Sequence, residues 1–303
     1  MNSITAAGVL AESDRSGEFE MKVRVITSIV GLGVLAIVLC FFDTVLFNFV
    51  LMAVALIAIH EVYDAFQLKA PYVYAAFVPL TAVVMFSDAL ATSRWIWIAG
   101  YVMMVYLACC VISHSQTLSF AKVAGTTLFS AVILACFASV LHVRGMFPDS
   151  LESIYVLLMI LGFAWGGDTC AYFAGRAFGK HKLAPIVSPH KTVEGAIGGV
   201  LGSVLVGLLI TVIYAAAHDQ PTLLSAWGNR YYVIVALLGA IGSLLGILGD
   251  LTASVVKRQC GIKDYGTIFP GHGGIMDRFD SVMFVAPFVV LTLMHLPQGA
   301  LPG

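Results

Sequence analysis

Hydrophobic residues fall along this chain in nine long runs separated by short polar breaks. Each run holds about 18 to 25 mostly apolar residues, the length a helix needs to cross the hydrocarbon core of a bilayer. The runs predict helices at 24–42, 46–66, 72–90, 95–113, 121–142, 153–176, 193–217, 231–257 and 277–296. The breaks carry turn-forming or charged residues: Asp43, Lys69-Ala70-Pro71, Ser87-Asp88, Ser113–Ser119, Pro148-Asp149, Ser188-Pro189 and Asp219-Gln220-Pro221. The third and fourth spans could also divide differently around Ser93-Arg94.

The expected fold is therefore all-α, a polytopic transmembrane helix bundle. Residues 1–20 are polar and acidic (Glu12, Asp14, Glu18, Glu20) and are expected to be a disordered extension, with Met21-Lys22-Val23-Arg24 resembling a second start. The first apolar run is long and lacks an A-x-A cleavage site, which predicts an uncleaved transmembrane helix and not a signal peptide. Residues 21–150 would form the N-terminal region of about five spans, and 151–303 a C-terminal catalytic region of about four spans with polar cytoplasmic loops.

Composition agrees and narrows the class. Hydrophobic residues make up 60% of the chain and charged residues 11%, and the mean hydropathy is +0.96, a balance no water-soluble globule of this size carries. A net charge of −1 offers no basic surface to nucleic acid. The six cysteines, Cys40, Cys109, Cys110, Cys136, Cys170 and Cys260, include no C-x-x-C pair and read as small packing residues. We see no internal repeat of fixed period, so an inverted-repeat transporter gains no support.

The basic residues are informative through their position. With nine spans, the N-terminus and the loops after spans 2, 4, 6 and 8 hold thirteen of them: Arg15, Lys22, Arg24, Lys69, Lys122, Arg176, Lys180, Lys182, Lys191, Lys257, Arg258, Lys263 and Arg278. The other side holds three, Arg94, Arg144 and Arg230. That asymmetry puts the N-terminus and the polar stretch Ser254–Asp280 in the cytoplasm and the C-terminus outside.

Three polar clusters lie on that cytoplasmic side. The first runs from Trp165-Gly166-Gly167-Asp168-Thr169 through Tyr172, Gly175 and Arg176 to Ser188-Pro189-His190-Lys191-Thr192-Val193-Glu194-Gly195. Asp168 sits inside an apolar run and must be paired, metal-bound or facing water; a structural pairing with Arg176 or Tyr172 is the plain alternative. In the second cluster Asp250, Ser254 and Lys257 fall at i, i+4 and i+7, one stripe of span 8, so Asp250 could simply pair with Lys257. The third is Pro270-Gly271-His272-Gly273-Gly274-Ile275-Met276-Asp277-Arg278-Phe279-Asp280-Ser281, whose glycines free the backbone to approach a ligand. Asp277 and Asp280, at i and i+3, share one face, a spacing that suits Mg²⁺ with phosphate oxygens, although acids at a helix start also complement its dipole.

Carboxylates, Lys and Arg, and glycine-rich backbone together form a set for binding a metal–polyphosphate and moving a phosphoryl or nucleotidyl group. No Walker A string is present. Elsewhere, His60, Glu61 and Asp64 close span 2, where interfacial capping is favoured over catalysis. Gly195, Gly198, Gly199 and Gly202 read as a close helix-packing face of span 7. Lys180 and Lys182 are either headgroup-facing topology determinants or ligand contacts.

The string Ser254-x-Val256-Lys257-Arg258, then Lys263-Asp264-x-Gly266-x-x-Phe269-Pro270-x-His272-Gly273-Gly274-Ile275-x-Asp277-Arg278-Phe279-Asp280, resembles the signature of the phosphatidate cytidylyltransferases (CDP-diacylglycerol synthases) at every defined position. Gly167-Asp168-Thr169-x-Ala171-Tyr172-x-x-Gly175-Arg176 and Ser188-Pro189-x-Lys191-Thr192-x-Glu194-Gly195 are similar to that family too. The resemblance implies an integral enzyme of a bacterial inner membrane that forms CDP-diacylglycerol and pyrophosphate from CTP and the membrane lipid phosphatidate. It implies Mg²⁺, with K⁺ in the same site, and a homodimer. It puts the metal on Asp250, Asp277 and Asp280, catalytic roles on Ser254, Lys257, Arg258, Lys263 and Arg278, and substrate contacts on Asp168, Ser188, Lys191, Thr192, Glu194, His272, Gly273 and Gly274. Two other readings stay open on the residues alone: a CTP-dependent lipid or polyprenol kinase, which would release CDP, and an ion-coupled transporter with Asp168 and Asp250 as cation sites.

Overall fold

The structure, a computed structural model, describes residues 30–87, 94–147, 149–218, 222–269 and 273–296. The expected extension at 1–20, the start at Met21, the outer parts of the first and third expected spans, and His272 lie outside the described residues.

Six helices are long and apolar enough to cross a membrane: α2 (Val45–Ala65), α4 (Arg94–Ser113), α5 (Phe120–Met146), the run Ser150–Phe178, α8 (Val193–Ala217) and α10 (Arg230–Gln259). Three shorter apolar helices, α1 (Val30–Cys40), α3 (Pro71–Met85) and α12 (Val282–Met294), fall within the other expected spans. The chain is an all-α integral membrane protein with one small exception. The run Ser150–Phe178 is α6 (Ser150–Leu161), a wide π turn at Gly162–Gly166, and α7 (Gly167–Phe178). A π turn misaligns backbone partners, and here the Ser203 hydroxyl of α8 donates to the Phe163 carbonyl at 2.8 Å.

The exception is the connection from α7 to α8, where a loop was expected and a hairpin forms. Strand β1 (Lys182–Ala184) pairs antiparallel with β2 (Ser188–Thr192), Lys182 opposite Thr192 and Ala184 opposite Ser188. A proline biases the residue before it to extended backbone, and Ser188-Pro189 opens β2 in that way. Thr192 then caps α8, its hydroxyl accepting from the Gly195 amide at 3.1 Å.

Helices α7, α8 and α10 meet along small residues. A Cβ at Gly198 would run into Ala174, one at Gly202 into Cys170, and one at Gly167 into Ser203. In lipid, where tails are as apolar as leucine, helices associate by close van der Waals approach, which small residues permit. The opposite face of α8 shows Ile197, Leu201, Leu205 and Leu209 outward, an apolar stripe for lipid. At the other end of this group, Asp149 caps α6 through the Leu151 amide and pairs with His218, which follows α8, at 2.5 Å. That hydrogen bond holds the Asp149 carboxyl below the usual carboxylate range.

A short helix, α9 (Thr222–Trp227), precedes α10, and after α10 come the short helix α11 (Met276–Phe279) and then α12. Helix α12 lies along α10 and against α5, while α2 reaches α11, so both halves of the chain pack against the polar stretch.

The glycine seam generates a test. Overpacking a tight contact costs about 1–3 kcal/mol, so Gly202→Val should lower the unfolding temperature of the detergent-purified protein, whereas Leu201→Val, on the exposed stripe, should leave it unchanged.

Candidate active site

The stretch after α10 does not leave the bundle. Tyr265 donates its hydroxyl to the Ala253 carbonyl at 3.1 Å, so the chain has already turned back alongside the helix it just left. Burial pushes the Tyr265 phenol above its ordinary range and keeps it a neutral donor. The Lys257 ammonium stands 5.6 Å from the centre of its ring. Farther along, Gly249 of α10 lies against the Asp280 backbone so closely that a Cβ would overlap its carbonyl. Asp250 lies nine residues before the end of α10 at Gln259, about 13 Å along the axis at the α-helical rise. The polar stretch after α10 is thus re-entrant, in that it folds back along the helix it left.

This path brings three carboxylates from separate stretches into electrostatic reach of one another: Asp168 of α7, Asp250 of α10 and Asp280 before α12. Asp168 accepts from the Ser281 hydroxyl at 2.9 Å. Asp250 pairs with Lys191 of β2 at 2.5 Å and accepts from the Ser254 hydroxyl at 3.3 Å. Asp280, 9% exposed, accepts from the Ser281 amide at 2.8 Å. Only Lys191 makes an ion pair with any of the three among the described residues, although Arg278 and Lys257 lie near enough to act on Asp168 and Asp280 respectively. Like charges gathered in an apolar surround repel unless cations offset them. The cluster is therefore a cation-seeking site.

Asp277 takes a different position. Its Oδ1 accepts from the Lys257 ammonium at 2.8 Å, and its Oδ2 from the Tyr265 and Gly274 amides at 2.8 and 3.0 Å. Gly273, at φ +83°, supplies the left-handed residue that folds the backbone over this carboxylate. A second acid, Glu61 near the end of α2, accepts from the Ile275 and Met276 amides at 3.0 and 2.8 Å. The Trp165 indole donates to the Arg278 carbonyl at 2.9 Å and so ties the π turn to the same stretch.

Residues 22–296 match the family model described as the cytidylyltransferase family. The chain belongs to the cytidylyltransferase family. A phosphatidate cytidylyltransferase of Staphylococcus haemolyticus is 34% identical over 281 residues, 91% of this chain and the whole of that protein. The Staphylococcus aureus protein of the same name is 34% identical over 282 residues, also 91% of this chain and the whole of that protein. The one from Bacillus subtilis is 36% identical over 178 residues, 59% of this chain and 61% of its own.

For this cytidylyltransferase family member the expected site residues divide into groups. Asp168, Lys191, Asp250, Ser254 and Asp280 come together, and Arg278 and Lys257 border them. Asp168 faces Ser281 and not Arg176 or Tyr172; those two residues meet each other at 3.4 Å. Asp250 pairs with Lys191 and not Lys257. Asp277 and Asp280 lie on one helical stretch but meet different partners: Asp277 is committed to Lys257 and two amides, while Asp280 lies within electrostatic reach of Asp168 and Asp250. Of the three acids expected to hold a metal, Asp250 and Asp280 come near Asp168, while Asp277 is bonded to Lys257 and two amides of the re-entrant stretch.

Two residues expected to contact substrate make bonds within the fold. Thr192 spends its hydroxyl on the α8 cap, and Glu194 accepts from the Lys180 and His181 amides and the His181 ring, closing the hairpin. Ser188 sits half-buried in β2, Lys263 is exposed, and Arg258 donates to the Val187 carbonyl at the hairpin tip at 3.4 Å. Gly274 gives its amide to Asp277. Sequence reasoning missed Ser281 and Tyr265, which carry no charge, and gave Glu61 only an interfacial cap; its cap is in fact on another part of the fold.

Removing one partner of a buried ion pair strands the other charge, at a cost of about 3–5 kcal/mol. Side-chain exposure is 12% for Lys257 and 4% for Asp277. Lys257→Met should therefore sharply lower the unfolding temperature, and the double variant Lys257→Met/Asp277→Asn should recover part of the loss. Equal or greater destabilisation of the double variant would show that the pair does not hold the stretch.

Proposed function

We propose that this protein is a phosphatidate cytidylyltransferase, forming CDP-diacylglycerol and pyrophosphate from CTP and phosphatidate, with its site at the meeting of Asp168, Asp250 and Asp280. The observation that carries this reading is that meeting: three acids from three stretches, bordered by Lys191, Lys257 and Arg278, in a chain of the cytidylyltransferase family.

The donor set fits Mg²⁺. Among the described residues no three His, Cys, Asp or Glu side chains converge closely enough to hold a metal by themselves. Mg²⁺ needs no such cage, since it accepts one or two carboxylates and fills its remaining positions with water and substrate phosphate oxygens. Asp168, Asp250 and Asp280 are the residues that would hold it, and bound there it would draw charge from the triphosphate and orient it. The accompanying K⁺ is part of the same proposal, as neighbouring acids leave negative charge for a second cation.

The chain's own residues account for the rest of the reaction. The phosphate of phosphatidate is already anionic near neutral pH, so its oxygen attacks without a dedicated general base. A bond forms from that oxygen to the α-phosphorus of CTP while the bond from the α-phosphorus to the bridging oxygen breaks, and pyrophosphate leaves with that electron pair. The barrier is repulsion between two polyanions. Lys191 and Arg278 border the cluster and would neutralise nucleotide and lipid phosphates, Arg258 beside the hairpin tip and the exposed Lys263 would add to that charge, and Lys257 is kept in place by Asp277. Ser254 and Ser281 hold Asp250 and Asp168 in orientation.

Location supports the same reading. Nine spans with the thirteen-to-three split of Lys and Arg would put this cluster just below the cytoplasmic surface of a bacterial inner membrane. CTP would arrive from the cytoplasm and the lipid from the side. A homodimer belongs to the proposal as well, and the exposed apolar faces of α4 and α7 are surfaces that lipid or a second copy would cover.

The test is transfer of label from α-labelled CTP into lipid with phosphatidate in detergent. Asp168→Asn, Asp250→Asn and Asp280→Asn should each cut the rate by at least about a hundredfold, and chelation should abolish it until Mg²⁺ is restored. Label left in CDP would instead mark a lipid kinase. Full activity in folded Asp280→Asn protein would overturn the site.

A further inference from the structure

Every polar residue assigned to the site so far comes from the C-terminal half of the chain, yet a side chain from the N-terminal half holds its backbone. Glu61 is 6% exposed, near the end of α2. Both of its oxygens are committed to the re-entrant stretch, Oε1 to the Ile275 amide and Oε2 to the Met276 amide. The backbone closes around it from two sides: a Cβ at Gly266 or at Gly274 would run into the carboxylate. A bridge between Phe269 and Gly273, with the Phe269 amide donating to the Gly273 carbonyl at 2.9 Å, closes the turn between those two glycines. The glycines at 266 and 274 thus have a common physical cause, which is the room the Glu61 side chain takes.

An acid here is costly, because Asp277 lies within electrostatic reach. The carboxylate is nevertheless the group that fits. It offers an acceptor to both amides, whereas a glutamine would turn its own N–H groups towards one of them. Charge also strengthens each bond. The anchored amides immediately precede Asp277, Arg278 and Asp280, so a shift at Ile275 is passed within a few residues to the cluster.

We infer that Glu61 is a positioning residue for the transfer reaction: through the Ile275 and Met276 amides it sets where Asp280 and Arg278 stand relative to Asp168 and Asp250. This rests on the cytidylyltransferase reading above. It acts through the backbone and touches no substrate.

The experiment uses the full chain in detergent, label transfer from α-labelled CTP to phosphatidate, and thermal unfolding of the same samples. Losing hydrogen bonds to a charged group typically costs about tenfold to a hundredfold, and a displacement of ~1 Å at a reacting centre can cost ~10²-fold. Glu61→Gln should lower kcat about tenfold and Glu61→Ala about a hundredfold. Both should raise the KM for CTP, a change that loss of folded protein alone would not produce. Gly274→Ala, which pushes the carboxylate out of its seat, should resemble Glu61→Ala. In Glu61→Ala/Gly274→Ala the added methyl enters vacated space, so the double variant should be no slower than Glu61→Ala alone.

A kcat loss that only tracks the folded fraction, with the KM for CTP unchanged, would overturn the inference, and so would losses that multiply in the double variant. If the unmodified chain transfers label while both Glu61 variants match it, the inference fails and the function stands. If the unmodified chain moves no label into lipid, it is the function that fails.

Discussion

Holding three carboxylates within reach of one another inside an apolar bundle is the constraint from which the rest of the architecture follows. Buried charge is costly unless it is paired, so each acid arrives on a separate support and with a partner already chosen. The small-residue seam lets α7 and α8 approach closely, with α10 packed alongside. The hairpin after α7 delivers Lys191 to Asp250. The stretch after α10 turns back so that Asp280 meets the other two, and the Tyr265, Gly274, Ile275 and Met276 amides along it donate to Asp277 and Glu61. In a membrane, backbone that is neither helical nor strand survives only where protein satisfies it. Glu61, Asp277 and the Phe269–Gly273 bridge satisfy it here.

The helices were legible because a transmembrane span leaves a coarse signal: some twenty apolar residues in a row survive small errors at either end. The clusters were legible too, since an acid such as Asp168 or Asp250 inside such a run needs a partner, a cation or water. The path of the polar stretch was not. Hydropathy reports which residues avoid lipid, and a polar re-entrant segment scores the same as a loop in water. The different partners of Asp277 and Asp280 were not legible either, because an i, i+3 spacing places two side chains on one helical stretch and does not report which donors each will meet. The hairpin escaped notice because three- and five-residue strands carry almost no periodic signal; only Ser188-Pro189 hinted at extended backbone. The contact from Glu61 to Ile275, residues 214 apart in sequence, is a long-range pairing that no local pattern encodes.

The acids of this protein separate by what holds them. Glu61, Asp277 and Glu194 accept from backbone amides, in each case two or more. An amide cannot swing away, so those carboxylates are part of the frame and a ligand would have to break the frame to reach them. Asp168 and Asp250 are held by side chains alone, the hydroxyls of Ser281 and Ser254 and the ammonium of Lys191. Those partners can rotate, and a phosphate or a cation can take their place at little cost to the fold. Asp280 has one amide, that of its neighbour Ser281, on one oxygen, and its other oxygen remains available to the cluster. Charge and burial alone would have grouped Asp277 with Asp280. The kind of donor each accepts from separates them: Asp277 is held by the frame, and Asp280 faces Asp168 and Asp250.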